Sequence, residues 1–215
     1  MNECPLCHQS DSEFYHQDKR RIYRQCQRCQ LVFVEPHFRL DADAEKACYD
    51  HHQNDPYNDG YRQFLSRMST PLCERINTDA KGLDFGCGPG PALAYMLREH
   101  GYSVNLFDIY YHPDPNPLSQ TYDFVTATEV IEHLYQPDII WSQWLNLLNP
   151  GGWLGVMTKM VIDVEAFASW HYKNDVTHVC FYSRATFEYL ANRDGLQLDF
   201  IGNDVILLRK PEHES

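Results

Sequence analysis

The chain has 215 residues, 43% hydrophobic and 22% charged, with a formal charge of −12, a mix that excludes a disordered or fibrous protein and suits one ordinary domain with a small appendage. No apolar run reaches the roughly 18–20 residues of a bilayer span, and no basic segment leads into an apolar one at the N-terminus, so a cytoplasmic protein without a membrane partner is expected. The excess acid disfavours wholesale binding of phosphate backbones, though residues 1–40 carry six basic and five acidic side chains against twelve and twenty-five in the remainder.

The first predicted element is set by Cys4, Cys7, Cys26 and Cys29, two C-x2-C pairs with eighteen residues between them. In a reducing compartment such pairs bind metal rather than form disulfides, and two knuckles at this separation can place four thiolates tetrahedrally around one structural Zn2+. A zinc ribbon over residues 1–40 is therefore predicted. Between the knuckles Lys19, Arg20, Arg21, Arg24 and Arg28 surround Tyr23; a solvated hairpin is the simpler reading, a surface for RNA phosphates the alternative. Cys48, Cys73, Cys87 and Cys180 have no ligand spacing and read as small buried residues.

Residues 41–78 read as a helical linker or lid. Phe64, Leu65, Met68, Leu72 and Ile76 recur near helical spacing after Gly60, in a helix interrupted or bent at Pro71. Upstream, Tyr49, His51, His52, Tyr57 and Tyr61 lie in a polar stretch that reads as a loop or cap.

From residue 79 strands alternate with helices. "KGLDF", "YSVNLFDIY", "YDFVTATEV" and "WLGVMTKM" read as strands, "PALAYMLREHG" and "QPDIIWSQWLNLLNPGG" as helices between them. "SRATFEYLANRDG" reads as a helix capped by Ser183 and closed by Gly195, followed by "LQLDFIGN" and "DVILLRK" as an antiparallel pair. The predicted fold class is α/β: over residues 79–215, a Rossmann-like, doubly wound, mainly parallel sheet with an antiparallel C-terminal strand, plus the small N-terminal zinc ribbon.

The stretch "LDFGCGPG" at 83–90 follows the first of these strands. It departs from the dinucleotide rule G-x-G-x-x-G, and no Gly-Lys-Ser/Thr follows to make a phosphate loop. With its acidic residue and G-x-G-x-G it resembles the first motif of the class I S-adenosylmethionine-dependent methyltransferases; "NLFD", "YDFVTATEVIEHL" and "LLNPGGWLGVMT" resemble later ones. The resemblance implies S-adenosylmethionine as cofactor, with Asp84 near its methionine ammonium, the loop residues Phe85, Gly86, Gly88 and Gly90 in close approach, and Asp108 on the ribose hydroxyls. Three prolines between Asp108 and Tyr122 forbid the third strand usual in the family, so the adenine contact stays unassigned.

Two stretches offer chemistry. Glu129, Glu132 and His133 at i, i+3 and i+4 are expected on one face of a helix at the sheet's carboxyl edge, and "WHYKNDVTHVCFYSR" supplies His171, Asp175, His178 and Tyr182. E-x-x-E-H with a later histidine resembles the metal-dependent O-methyltransferases of RNA 3′ ends and polyprenyl catechols, which implies a second divalent ion, Mg2+ or Mn2+, at Glu129, Glu132, His133 and His178. The alternative is a metal-free site with His178 as general base and His133 and Glu129 beside it. Trp170, Tyr172, Phe181 and Tyr182 read either as a wall for an aromatic acceptor or as core. The expected activity is methyl transfer to an acceptor that is a small molecule, an RNA or a protein, with a hydroxyl as the candidate atom (O-methylation). The ribbon would aid substrate recognition or assembly, for example as a homodimer. The rival from another class is an inactive cofactor-binding or scaffolding protein.

Overall fold

The computed structural model describes residues 3–50 and 55–212; His51 and His52 lie outside the described residues. In chain order the elements are β1 (Ser12–Gln17), β2 (Ile22–Cys26), β3 (Val32–Val34), α1 (Ala42–Tyr49), α2 (Asp59–Cys73), β4 (Lys81–Phe85), α3 (Ala92–Glu99), β5 (Ser103–Phe107), β6 (Tyr122–Thr128), α4 (Pro137–Leu147), β7 (Leu148–Met157), α5 (Val164–Ser169), β8 (Cys180–Phe181), α6 (Arg184–Asp194), β9 (Gln197–Ile201) and β10 (Val205–Arg209). None of the described helices is long and apolar enough to cross a membrane.

A six-stranded sheet in the order β5-β4-β6-β7-β10-β9 forms the body of the molecule. Its first four strands are parallel; β10 runs antiparallel to both β7 and β9, so the C-terminal pair folds back as the apolar runs predict. Strand alternation divides the core. Leu207 and Val205 face one layer with Leu65, Leu72, Leu93 and Leu97 from α2 and α3, while Ile206 and Leu208 face the other with Trp141, Trp144, Phe187 and Leu190 from α4 and α6. This makes the doubly wound architecture. Between Asp108 and Tyr122 the chain makes a short bridge from Asp108 to His112 and a 3-10 turn at Asn116–Ser119, so the sheet ends at β5.

Local signals behave as their chemistry requires. Ser183 and Thr186 form a capping box on α6, and Gly195 closes the helix in the left-handed region at φ 66°. The α2 helix, capped by Asn58, continues through Pro71 to Cys73 rather than breaking there, with Leu65, Met68 and Leu72 buried.

The N-terminal strands make an antiparallel meander whose last neighbour is β8: Val32 pairs with Phe181 and Phe33 with Cys180. Tyr23 and Phe33 from this sheet, with Cys4 and Leu6 from the turn before it, share one buried cluster with Trp141, Phe187 and Leu190.

One expected element is corrected. Residues 129–133 form no helix face: Glu129 has φ 53°, its N–H donates to the Met157 carbonyl at the end of β7 (2.8 Å), and only Ile131–His133 make a 3-10 turn. Tethering Glu129 to β7 in a left-handed conformation prevents helix propagation until Pro137 opens α4.

Candidate active site

The parallel strands β4, β5 and β6 end together, and a cleft of about 650 Å³ opens over their carboxyl ends, where sheets of this kind present their ligand sites. Phe85, Gly86 and Gly88 form its floor, Phe107 and Asp108 one side, Glu129, His133 and His178 another. Helix α1 borders it with Glu45 and Tyr49, latched by hydrogen bonds from the Tyr110 hydroxyl to Glu45 (3.0 Å) and from the Tyr111 hydroxyl to Asp50 (2.8 Å). Ile109, Leu134, Ile139 and Ile140 supply an apolar stretch of wall, and Ile109 and Ile139 stay largely exposed.

The glycine loop is shaped by its own backbone. Gly86 and Gly88 have φ of 70° and 66°, the region that disfavours side chains. A Cβ on Gly86 would lie 2.5 Å from the Val130 side chain, so the residue is a cradle that only glycine leaves open. Asp108 binds the loop down: Oδ2 accepts from Gly88 N–H (3.0 Å), while Oδ1 accepts from Tyr110 and Tyr111 N–H (2.8 and 3.0 Å). Asp84 and Gly90 are not among the residues lining the cleft. Asp84 sits beneath the loop, 2% exposed, accepting from the Thr126 hydroxyl at 2.9 Å, and burial raises its pKa to about 7. Of the residues expected at the cofactor, Phe85, Gly86, Gly88 and Asp108 thus line the cleft, and Asp84 and Gly90 do not.

Opposite the loop lies a polar cluster. Tyr172 places its hydroxyl between two carboxyls, bonding Glu132 closely and Glu129 at 3.2 Å. Burial pushes both carboxyls well above the usual range, and the charge of Glu129 adds to the effect at Glu132. Oε1 of Glu129 and Oε2 of Glu132 are buried with no hydrogen-bond partner among the described residues. The rings of His133 and His178 stand 4.6 Å apart, and donor atoms of Glu132, His133 and His178 all lie within 4.8 Å of one another. His178 bonds the Tyr172 carbonyl through Nδ1 at 2.7 Å. A carbonyl only accepts, so Nδ1 carries the proton and Nε2 is left as the basic nitrogen. Nε2 lies 3.8 Å from Asp175 Oδ2. Burial opposes ionisation of Asp175, but donors from Thr177 outweigh it and hold the pKa below the carboxylate norm. Tyr172 was indistinguishable from core aromatics in the sequence, since no spacing ties it to carboxylates forty residues upstream. Tyr182 is core, fully buried against Phe187. His171 contacts Lys159 at 3.0 Å and does not line the cleft.

The four N-terminal cysteines form a separate centre. Their sulfurs lie within 4.8 Å of one another, with Cys4–Cys29 at 3.5 Å and Cys7–Cys26 at 3.4 Å, and none is in a disulfide. Four thiolates at tetrahedral Zn–S bonds of ~2.3 Å stand about 3.8 Å apart. The two knuckles share one turn: His8 and Gln30, each following a second cysteine, have φ near 60° and donate N–H to the carbonyls of Cys4 and Cys26 (both 3.0 Å). Burial holds the Cys7 thiol up, and Cys29 is held up by its bond with Cys4 and by burial. Cys4, by contrast, is lowered to about 6 by its bond with Cys29, and four sulfurs this close match a donor set that a divalent cation would complete.

Comparison with known proteins agrees with this geometry. Residues 49–199 match a family described as a methyltransferase domain. A search of curated proteins returns no match. Among solved structures, the 1,6-didemethyltoxoflavin N1-methyltransferase of Burkholderia thailandensis, with bound 1,6-didemethyltoxoflavin and S-adenosylhomocysteine, is similar at TM-score 0.55 and 16% identity, over 93% of this chain and 99% of that one. An S-adenosylmethionine-dependent methyltransferase of Methanosarcina mazei is similar at TM-score 0.52 and 15% identity, over 66% and 98%. With its glycine loop, shared strand ends and matched domain, the chain belongs to the methyltransferase-domain family and has the fold of S-adenosylmethionine-dependent enzymes.

Proposed function

We propose that this methyltransferase uses S-adenosylmethionine to methylate a hydroxyl of its acceptor, with His178 as general base, and that Cys4, Cys7, Cys26 and Cys29 hold a structural Zn2+. Gly86, Gly88 and Asp108 would hold the cofactor, since a bare loop tied to an acidic residue admits its aminoacyl and ribose parts. When bound, S-adenosylmethionine supplies an electrophilic methyl group on sulfur. The chain's own task is to orient the acceptor and remove its proton.

The observation that carries the reading is the Nδ1 bond of His178 to the Tyr172 carbonyl, which leaves Nε2 as the base on the cleft wall. As Nε2 takes the hydroxyl proton, the Asp175 carboxylate 3.8 Å away stabilises the imidazolium. A weakly acidic hydroxyl needs such a base, whereas a neutral amine attacks with its own lone pair. A second reading, a divalent ion at Glu129, Glu132, His133 and His178, draws support from the clustered donors of Glu132, His133 and His178 and from the buried oxygens of Glu129 and Glu132 that lack a hydrogen-bond partner among the described residues; chelation would then abolish turnover and Mg2+ or Mn2+ restore it.

The test is calorimetric titration with S-adenosylmethionine and S-adenosylhomocysteine, followed by transfer of labelled methyl into a panel of hydroxyl- and amine-bearing molecules. His178→Asn is expected to bind S-adenosylhomocysteine within about threefold of wild type and to lose transfer by roughly 10²–10⁴-fold. Labelling of amines only, or undiminished transfer by His178→Asn, overturns the base assignment. Cofactor binding with no labelled acceptor favours the binding-protein alternative.

A further inference from the structure

Arg21 reads in the sequence as one of several solvated basic residues, yet it is 5% exposed. Its guanidinium is directed into the segment that carries His178. Nη1 donates to the carbonyls of Val176 (3.1 Å) and His178 (2.8 Å), Nη2 to those of Asp175 (3.0 Å) and Lys173, and Nε to the Tyr23 hydroxyl (3.2 Å). The five N–H groups of arginine thus meet five acceptors, four of them carbonyls within a six-residue stretch. Carbonyl dipoles that converge on one point repel each other, so this loop conformation requires a cationic, multiply donating group at its centre. Lysine, with three donors on a flexible stem, does not reproduce the fork.

The arginine is itself fixed. Asp18 closes the β1–β2 turn by accepting from the N–H groups of Arg20 (2.7 Å) and Arg21 (2.8 Å), and from the Tyr23 hydroxyl (2.7 Å). From Arg21, β2 runs directly to Cys26 of the thiol cluster. Just beyond His178, Val179 donates its N–H to the Glu132 carbonyl (2.8 Å) and accepts from Val34 of β3 (2.9 Å). The N-terminal sheet therefore grips the His178 segment at both ends, by Arg21 over 173–178 and by β3 over 179–181. The bond from His178 Nδ1 to the Tyr172 carbonyl, which sets the imidazole's direction, spans the stretch that Arg21 gathers.

We propose that Arg21 is a positioning residue for methyl transfer: by gathering the carbonyls of residues 173–178 it holds His178 in the tautomer and orientation that present Nε2 to the cleft, which makes the N-terminal sheet a support of the active site from behind its lining. This rests on His178 being the base.

The test compares full-length wild type, Arg21→Ala and Arg21→Lys by amide hydrogen exchange, by ¹⁵N shifts of the His178 ring (the resonance lost in His178→Asn) and by titration with S-adenosylhomocysteine. In Arg21→Ala, peptides covering 171–178 are expected to exchange at least ~10-fold faster while those covering 81–99 are unchanged. The His178 ring, Nδ1-protonated in wild type, becomes a mixture of tautomers. Guanidinium ion at about 10 mM, far below the molar concentrations that unfold proteins, restores both signals, and an equal concentration of sodium chloride does not. If Arg21→Ala exchanges faster everywhere, Arg21→Lys decides: loss of protection confined to 171–178 supports the role. Unchanged exchange and an unchanged tautomer in Arg21→Lys, or in a folded Arg21→Ala, overturn it. The cofactor reading fails separately, if wild type binds no S-adenosylhomocysteine.

Discussion

Gly86 shows how much one residue can decide. Alanine there must adopt a left-handed backbone and places Cβ 2.5 Å from Val130, so Gly86→Ala is expected to weaken S-adenosylhomocysteine binding at least ~10-fold, about 1.4 kcal/mol, by calorimetry. Asp84 makes a different contribution. Burial lifts its pKa from 3.8 to about 7, so the folded chain keeps a proton that the unfolded chain has lost. Its stabilising contribution is complete below about pH 3.8 and is lost as pH rises through about 7. Asp84→Asn is accordingly expected to flatten the decline in stability between pH 5 and 7 by up to ~1.4 kcal/mol per pH unit, read from urea midpoints at each pH. The loop glycines and Asp108 were legible because their spacing is local and reflects a backbone that must stay bare. Tyr172 and Arg21 were not, because an aromatic residue and a basic one reveal their roles only through partners elsewhere in the chain.

At the scale of elements, apolar alternation and caps located the strands and the main helices, and three prolines marked the missing strand between Asp108 and Tyr122. The stretch 129–133 misled because its i, i+3, i+4 spacing suits a helix, while the N–H bond from Glu129 to Met157 draws it into a turn. That turn brings Glu132 beneath Tyr172 and its carbonyl to Val179. The thiol cluster lies at the far end of β2 from Arg21, so it bears on the same segment. Cys26→Ser is expected to lower bound zinc from about one per chain to near zero and to reduce Tm by roughly 5–10 °C, some 2–3 kcal/mol for a chain this size. Elemental analysis and thermal unfolding check both, and hydrogen exchange over 171–181 should quicken in the same variant.

Across the whole molecule, one buried cluster runs from Cys4 and Tyr23 through Phe181 to Trp144 and Leu208. A core shared in this way is expected to unfold as one unit: a single calorimetric transition, with equal calorimetric and van't Hoff enthalpies. A chain starting at residue 41 would expose β8 and the face under Phe33, and is expected to lack that transition and to aggregate. By itself the sequence determined the order of strands and helices, the glycine loop and the paired knuckles, since each depends on residues a few positions apart and on backbone preference. The tertiary structure alone decided that Arg21 would meet the carbonyl of His178, 157 residues away. It also decided that Tyr172 would join two carboxyls and that the N-terminal sheet would take its last strand from residues 180–181. Such contacts arise from the packing of distant segments into one core, where complementary shape and hydrogen bonding select partners that no local period encodes.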